Sequence, residues 1–133
     1  MPTAGYSGKA LVAKLGLKPG AAAAAIDPPA HYAALLEGAA TPGPFKAGPY
    51  DFIHLFVTDR AALARALPRA FGKLAPGGMI WVSWPKKASP MFKDLTEDGV
   101  REAAFRLGLV DVKVCAVDAD WSGLKLLRRT KSA

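Results

Sequence analysis

A chain of 133 residues fits one domain, 1–133, because either half alone would bury too little surface to offset its chain entropy. With 51% hydrophobic and 22% charged residues, one cysteine and no longer apolar run after residue 20 than residues 21–26, composition excludes a disordered tail, a disulfide scaffold and a membrane span, although 26 alanines leave the core thin. The charge excess of +7 is spread as +2 over residues 1–50, +2 over 51–85 and +3 over 86–133, which argues against a nucleic-acid-binding stripe.

Residues 1–20 contain no continuous apolar segment of the kind a secretion signal needs, and the single Cys115 fits a reducing setting, so a soluble, cytosolic chain is expected. Ser7 is placed to cap a short helix carrying Leu11, Val12 and Leu15, and Gly16 to end it. Gly5-Tyr6-Ser7-Gly8-Lys9 lacks the glycine spacing of a phosphate loop and has no strand before it. Residues 21–26 are too few for a helix between two proline-containing turns and read as a short buried strand. Pro29 suits the first turn of a helix running to about Glu37. Between Gly38 and Pro49 at most one short strand fits, around Phe45. Residues 50–57, aromatic and β-branched with His54 polar inside them, form a strong strand.

Asp59 then caps a helix presenting Leu63 and Leu67, which Pro68 ends before a further turn carrying Phe71 and Leu74. Leu74-Ala75-Pro76-Gly77-Gly78 makes a tight turn into a strand over residues 79–84. Asp94-Leu95-Thr96-Glu97 has capping-box spacing, with Glu97 reaching back, and Val100, Ala103, Ala104 and Leu107 form the buried stripe of a helix that Gly108 ends. Two strands, 109–117 and 124–128, close the chain around a hairpin over residues 118–123, and Arg128-Arg129-Thr130-Lys131 reads as a solvated tail. Strands alternating with helices predict a mostly parallel sheet covered on both faces, with an antiparallel pair at its end.

The run Asp51-Phe52-Ile53-His54-Leu55-Phe56-Val57, a helix, and then Leu74-Ala75-Pro76-Gly77-Gly78-Met79-Ile80-Trp81-Val82 resembles the second half of class I S-adenosylmethionine methyltransferases. There an aspartate opens one strand and a Leu-x-Pro-Gly-Gly turn enters the next. The resemblance covers residues 50–128 and implies a three-layer, Rossmann-like (methyltransferase-like) α/β fold, which the closing strand pair suits; it speaks to architecture rather than activity. Over nearly the whole chain the sequence is also similar to a bacterial family of small proteins, domain of unknown function family 3052. That similarity rests on Leu15-Gly16-Leu17-Lys18-Pro19-Gly20, on Gly78-Met79-Ile80-Trp81 followed by Pro85-Lys86, and on Asp120-Trp121-Ser122-Gly123. It implies a fold and no particular activity.

Those methyltransferases resemble dinucleotide binders in needing a glycine-rich turn after the first strand, and they place an acid after the second. Here the first turn is Asp27-Pro28-Pro29, short of two N–H donors, and the only acid between Asp27 and Asp51 is Glu37, inside a predicted helix. Both cofactor contacts are missing, so no cofactor and no catalytic residue is assigned. Ligands of open α/β sheets sit at the carboxyl ends of the strands, which here bring Asp27, Thr58, Arg60, Ser83, Trp84, Lys86 and Lys87. Cations, hydroxyls and a stacking surface suit a small anionic or nucleotide-like ligand. Equally, a Lys-Lys loop is commonly a solvated turn, and Ser83 or Trp84 can simply terminate a strand.

Trp121 is unnecessary for a turn and is a candidate for a pocket or partner surface. His54, flanked on its face by Phe52 and Phe56, is expected to be buried and hydrogen-bonded, and Cys115 to pack as a small apolar residue. His31 has no second histidine at metal spacing, so no metal is expected. The combined expectation is a non-catalytic module for a small anionic ligand or a protein partner, a homodimer included, with nucleic acid and membrane set aside. The alternative is a minimal S-adenosylmethionine-dependent methyltransferase.

Overall fold

A computed structural model describes residues 10–37 and 41–129. In chain order these form α1 (Leu11–Leu15), β1 (Ala23–Ile26), α2 (Tyr32–Leu35), β2 (Gly43–Pro44), β3 (Tyr50–Phe56), α3 (Arg60–Gly72), β4 (Leu74–Pro85), α4 (Glu97–Leu107), β5 (Leu109–Ala116) and β6 (Trp121–Arg128). The strands build a six-stranded sheet in the order β2-β1-β3-β4-β6-β5. Pairing is parallel from β2 through β1 and β3 to β4, and antiparallel where β6 lies between β4 and β5. This is the predicted three-layer, Rossmann-like α/β fold.

Period-two alternation explains why the strands read as apolar on both faces. Along β3, Phe52 and Phe56 join Leu11, Leu15, Tyr32 and Trp81 on the side of α1 and α2. Ile53 and Leu55 join Leu63, Leu67, Val100 and Ala104 on the side of α3 and α4. Each face thus has its own core, with α1 and α2 on one side and α3 and α4 on the other.

Several local expectations change in ways that have physical causes. α3 runs through Pro68 to Gly72 instead of ending there. Pro68 and Ala64 both lie on the exposed side, so water can reach the Ala64 carbonyl that loses its intrahelical donor. α2 is shorter than predicted, and the chain leaves it at Glu37 with a left-handed φ of 51°. β2 occupies Gly43–Pro44, just before Phe45. Thr96 is the N-cap of α4, accepting from the Gly99 amide at 3.2 Å, so the box begins two residues later than its spacing suggested. Asp94 instead accepts from the Arg60 amide at 2.9 Å and ties the start of α3 to the approach to α4. Glu97 pairs with Arg101 rather than reaching back. Arg128 belongs to β6 and donates to the carbonyls of Leu74 and Ala75 at 2.7 and 2.9 Å, so it is not part of a solvated tail. The proposed Ser7 cap and the stretch Gly5-Tyr6-Ser7-Gly8-Lys9 fall outside the described residues.

The Leu74-Ala75-Pro76-Gly77-Gly78 segment is an excursion within β4 rather than a turn preceding it. Tyr50 pairs with Leu74 and Phe52 already pairs with Met79, so the intervening residues bulge out. Gly78 closes the excursion where a Cβ would come within 2.8 Å of Leu74 Cδ1 and 3.0 Å of two backbone oxygens. Gly78→Ala is therefore expected to cost about 1–3 kcal/mol, read as a lowered urea midpoint with unchanged slope. An unshifted midpoint would show that the bulge has room to relax.

Candidate functional site

Successive strands turn to opposite sides at one place in the sheet. β1 passes to β2 on one side, while β3 enters on the other and continues to β4, which makes the β1/β3 boundary a switch point open at the carboxyl ends. Register carries the ends into line: Ile26 pairs with Leu55, Phe56 with Ser83, and the Val57 amide donates to the Ser83 carbonyl at 3.0 Å. Asp27, Thr58 and Lys86 consequently leave β1, β3 and β4 at the same end of the sheet, with Thr58 two residues and Lys86 three residues beyond the level of Asp27, which is that of Phe56 and Ser83. Asp27 is exposed with φ 52°, Thr58 and Lys86 are half-buried and Lys87 is exposed. The Lys86 amide donates to the Asp120 carbonyl at 2.8 Å, which fixes the exit of β4 against the β5–β6 turn.

Arg60 begins α3 at the same edge, and its guanidinium lies along Gly99, where an added Cβ would come within 3.3 Å of Nη2. Beside it Asp59 caps α3, accepting from the Ala62 amide at 2.8 Å.

Three sequence candidates do not join this set. Ser83 is fully buried and bonded to His54 Nε2 at 2.7 Å. Trp84 is buried in the core under α3 and α4. Trp121 is buried against Phe56 in an edge-to-face contact of 5.0 Å on the opposite side. The cause is the pairing of β4 with β6, which continues through Ser83↔Gly123, Trp84↔Ser122 and Pro85↔Trp121, so these residues sit inside a ladder rather than beyond it.

His54 is the polar centre of that packed face. The Tyr32 hydroxyl lies 2.9 Å from Nδ1 and the Ser83 hydroxyl 2.7 Å from Nε2, so one ring nitrogen donates, the other accepts, and the hydroxyls supply the complement. The ring stacks on Phe56 at 4.2 Å. Complete burial lowers the imidazole pKa to about 3, and burial likewise lifts the Tyr32 hydroxyl above its usual range. The triad is therefore a neutral, satisfied network sealed from solvent, in line with the buried histidine expected from the sequence.

Nearer the surface, His31 Nε2 lies 2.7 Å from Asp118 Oδ2 and links the start of α2 to the β5–β6 turn. Burial pushes the Asp118 carboxyl up, but bonds from His31 and the amides of Asp120 and Trp121 outweigh it and hold the group below the carboxylate range. Cys115 is half-buried, and burial raises its thiol pKa against the opposing pull of Lys14 and Lys113. Among the described residues no group of three or more His, Cys, Asp and Glu side chains could hold a metal, and no helix is long and apolar enough to cross a membrane.

An open cleft of about 660 Å³ begins at Asp27 and Pro28 and runs past Pro42 and Pro44 to Phe45 and Arg69. It exists because the described residues between Leu36 and Tyr50 contribute only the two-residue β2 and no helix to cover this end of the sheet. A smaller recess of about 340 Å³ shares Phe45 and Arg69 and adds Lys46 and Lys73. In the sequence Phe45 stands out only as a strand marker, and Arg69 and Lys73 as ordinary helix cations. Their spacing of four residues, Arg69 in the last turn of α3 and Lys73 at its C-cap, is the signal the sequence carries.

The strand order and the two helical layers define a methyltransferase-like α/β protein. Solved structures with the same architecture include a protein of the NADB-Rossmann superfamily from Streptococcus agalactiae (TM-score 0.58, 11% identity, covering 94% of this chain and 70% of that one). The tRNA methyltransferase TrmK of B. subtilis is similar at TM-score 0.55 and 14% identity, over 92% of this chain and 66% of the enzyme. Magnesium protoporphyrin IX methyltransferase from Synechocystis PCC 6803, solved with bound SAM, is similar at TM-score 0.52 and 11% identity, over 74% of this chain. The chain spans about half the length of that last enzyme, 51%. At such identities the likeness is one of fold. By sequence, residues 51–130 match the family described as protein of unknown function (DUF3052), and the chain belongs to that family. No curated protein matches it in sequence.

Proposed function

We propose that this protein is a non-catalytic binding module that takes a small anionic, nucleotide-like ligand at the carboxyl edge of its sheet. The observation that carries this reading is that Asp27 and Thr58 leave the two strands of the switch point and Lys86 leaves the next strand at the same end of the sheet, near Lys87 and Arg60, with the cleft open at Asp27. Lys86, Lys87 and Arg60 supply cationic donors for phosphate oxygens, the Thr58 hydroxyl adds a neutral donor, and the Asp27 carboxylate can accept from sugar hydroxyls.

Two features weigh against the alternative, a minimal methyltransferase. The turn after β1 carries Pro28 and Pro29 in place of bare glycine amides, and β2 is followed by Phe45 and Lys46 where an acid would hold ribose hydroxyls. SAM also carries a net positive charge, which a cationic edge disfavours.

Lys86→Ala/Lys87→Ala is expected to weaken ATP binding at least tenfold by equilibrium dialysis, since each charge-assisted contact contributes about 1.5–3 kcal/mol. Equal affinity in the variant and the parent would remove the strand edge as the binding site.

A further inference from the structure

We propose a second anion site, between the segment after β2 and the carboxyl end of α3 and built from cations other than those of the strand edge, in which Lys46, Arg69 and Lys73 bind the phosphate group of a small phosphate ester beside Phe45. Lys46, Arg69 and Lys73 line the 340 Å³ recess together with Phe45, Pro68 and Gly72, and no carboxylate lines it. Among the described residues, none of the three cations lies within ion-pair distance of an acid. Such gathering of like charge is unfavourable unless something offsets it.

The partners present offset only part of it. The Arg69 guanidinium and the Lys73 ammonium stand 5.6 and 5.2 Å from the Phe45 ring centre, contacts worth about 0.5–1 kcal/mol each at exposed sites. Lys73 Nζ also donates to the Lys46 carbonyl. The carboxyl end of α3 adds the equivalent of roughly half a negative charge. Against three full positive charges, the remaining deficit matches a phosphate dianion, which would accept from the Arg69 fork while the ammonium groups neutralise it.

The geometry also limits what the phosphate is attached to. Phe45 and Arg69 are common to the recess and the 660 Å³ cleft, so a ligand held at Arg69 extends along Ile26, Pro28, Pro42 and Pro44. That wall mixes proline and isoleucine side chains with polar surface that includes the Asp27 carboxylate, and it suits an alcohol portion carrying hydroxyl as well as apolar groups. Tyr50, tilted 32° from the Phe45 ring at 5.6 Å, holds the aromatic platform from behind.

The test is an amide NMR titration with inorganic pyrophosphate, run at constant ionic strength against sodium chloride. Saturable shifts at residues 46, 69 and 73 that chloride does not reproduce are expected. Arg69→Gln/Lys73→Gln should weaken this response at least tenfold, whereas Lys86→Ala/Lys87→Ala should leave it intact. Arg69 is exposed and Lys73 half-buried, so the double variant keeps the core, which an unchanged urea midpoint verifies. A linear or chloride-like response overturns the proposal, as does an unchanged affinity in Arg69→Gln/Lys73→Gln. Shifts confined to residues 58, 86 and 87 overturn it while leaving the strand-edge site standing.

Discussion

Replacing Trp81 by alanine is expected to lower the unfolding free energy by about 3–5 kcal/mol, a large share of the 5–15 kcal/mol typical of a domain. Trp81 is the largest fully buried side chain and fills the face between the sheet and α1. Its indole N–H donates to the Leu15 carbonyl at 2.8 Å, satisfying one of the acceptors that the end of a short helix leaves open. α1 has only five residues and no side-chain N-cap, so this tie and the burial of Leu11 and Leu15 hold it in place. Gly123 stands beneath the ring, where an added Cβ would meet Trp81 at 3.2 Å, so the pocket is shaped for the indole. Trp81→Phe keeps most of the bulk and loses the donor, with an expected cost of about 1–3 kcal/mol. Urea unfolding of both variants separates packing from hydrogen bonding. A Trp81→Phe variant as stable as the parent would show that the Leu15 bond contributes nothing.

Stability is expected to fall as pH drops from 6.5 toward 3, and His54 is the cause. Burial holds its pKa at about 3 in the fold against an ordinary value of 6.5. Below pH 6.5 the unfolded chain takes up a proton that the folded chain does not, so unfolding is favoured by about 1.4 kcal/mol per pH unit across this window, several kcal/mol in all. Stability from this group is fully present above 6.5. The paired carboxylates have the same sign in a different range. Asp111, which accepts from Arg101 Nε at 2.9 Å, and Asp118, bonded by His31, are held below their ordinary value of 3.8, so their contribution is present above that value and is lost only in stronger acid. His54→Gln retains an amide donor and acceptor for Tyr32 and Ser83 but does not titrate. Chemical unfolding between pH 4 and 6 should show a steep slope in the parent and a flatter one in His54→Gln. Parallel slopes would assign the acid sensitivity to other groups.

Local chemistry made much of this molecule readable. The alternation around Phe52, His54 and Phe56 identified a strand buried on both faces and a satisfied histidine. Asp59 and Gly108 marked helix ends that the structure retains. The failures came from pairing between distant residues. Nothing near Ser83 or Trp84 announces that β6 begins at Trp121 and extends the ladder to Pro85, yet that pairing buries both side chains. Pro68 misled for a related reason: the cost of a proline depends on whether its helical face meets water, which tertiary packing decides. The cationic recess was hidden because Phe45 is separated in sequence from Arg69 on α3 and Lys73 at its C-cap, and they meet only when β2 lies beside β1.

Binding of a nucleotide without methyl-donor chemistry is most directly examined by isothermal titration calorimetry with ATP, SAM and S-adenosylhomocysteine in parallel. Saturable heat with ATP, lost in Lys86→Ala/Lys87→Ala, and no micromolar binding of either methyl-cycle compound is the predicted result. Micromolar binding of SAM or S-adenosylhomocysteine, with no response to ATP, would contradict it and restore the minimal methyltransferase.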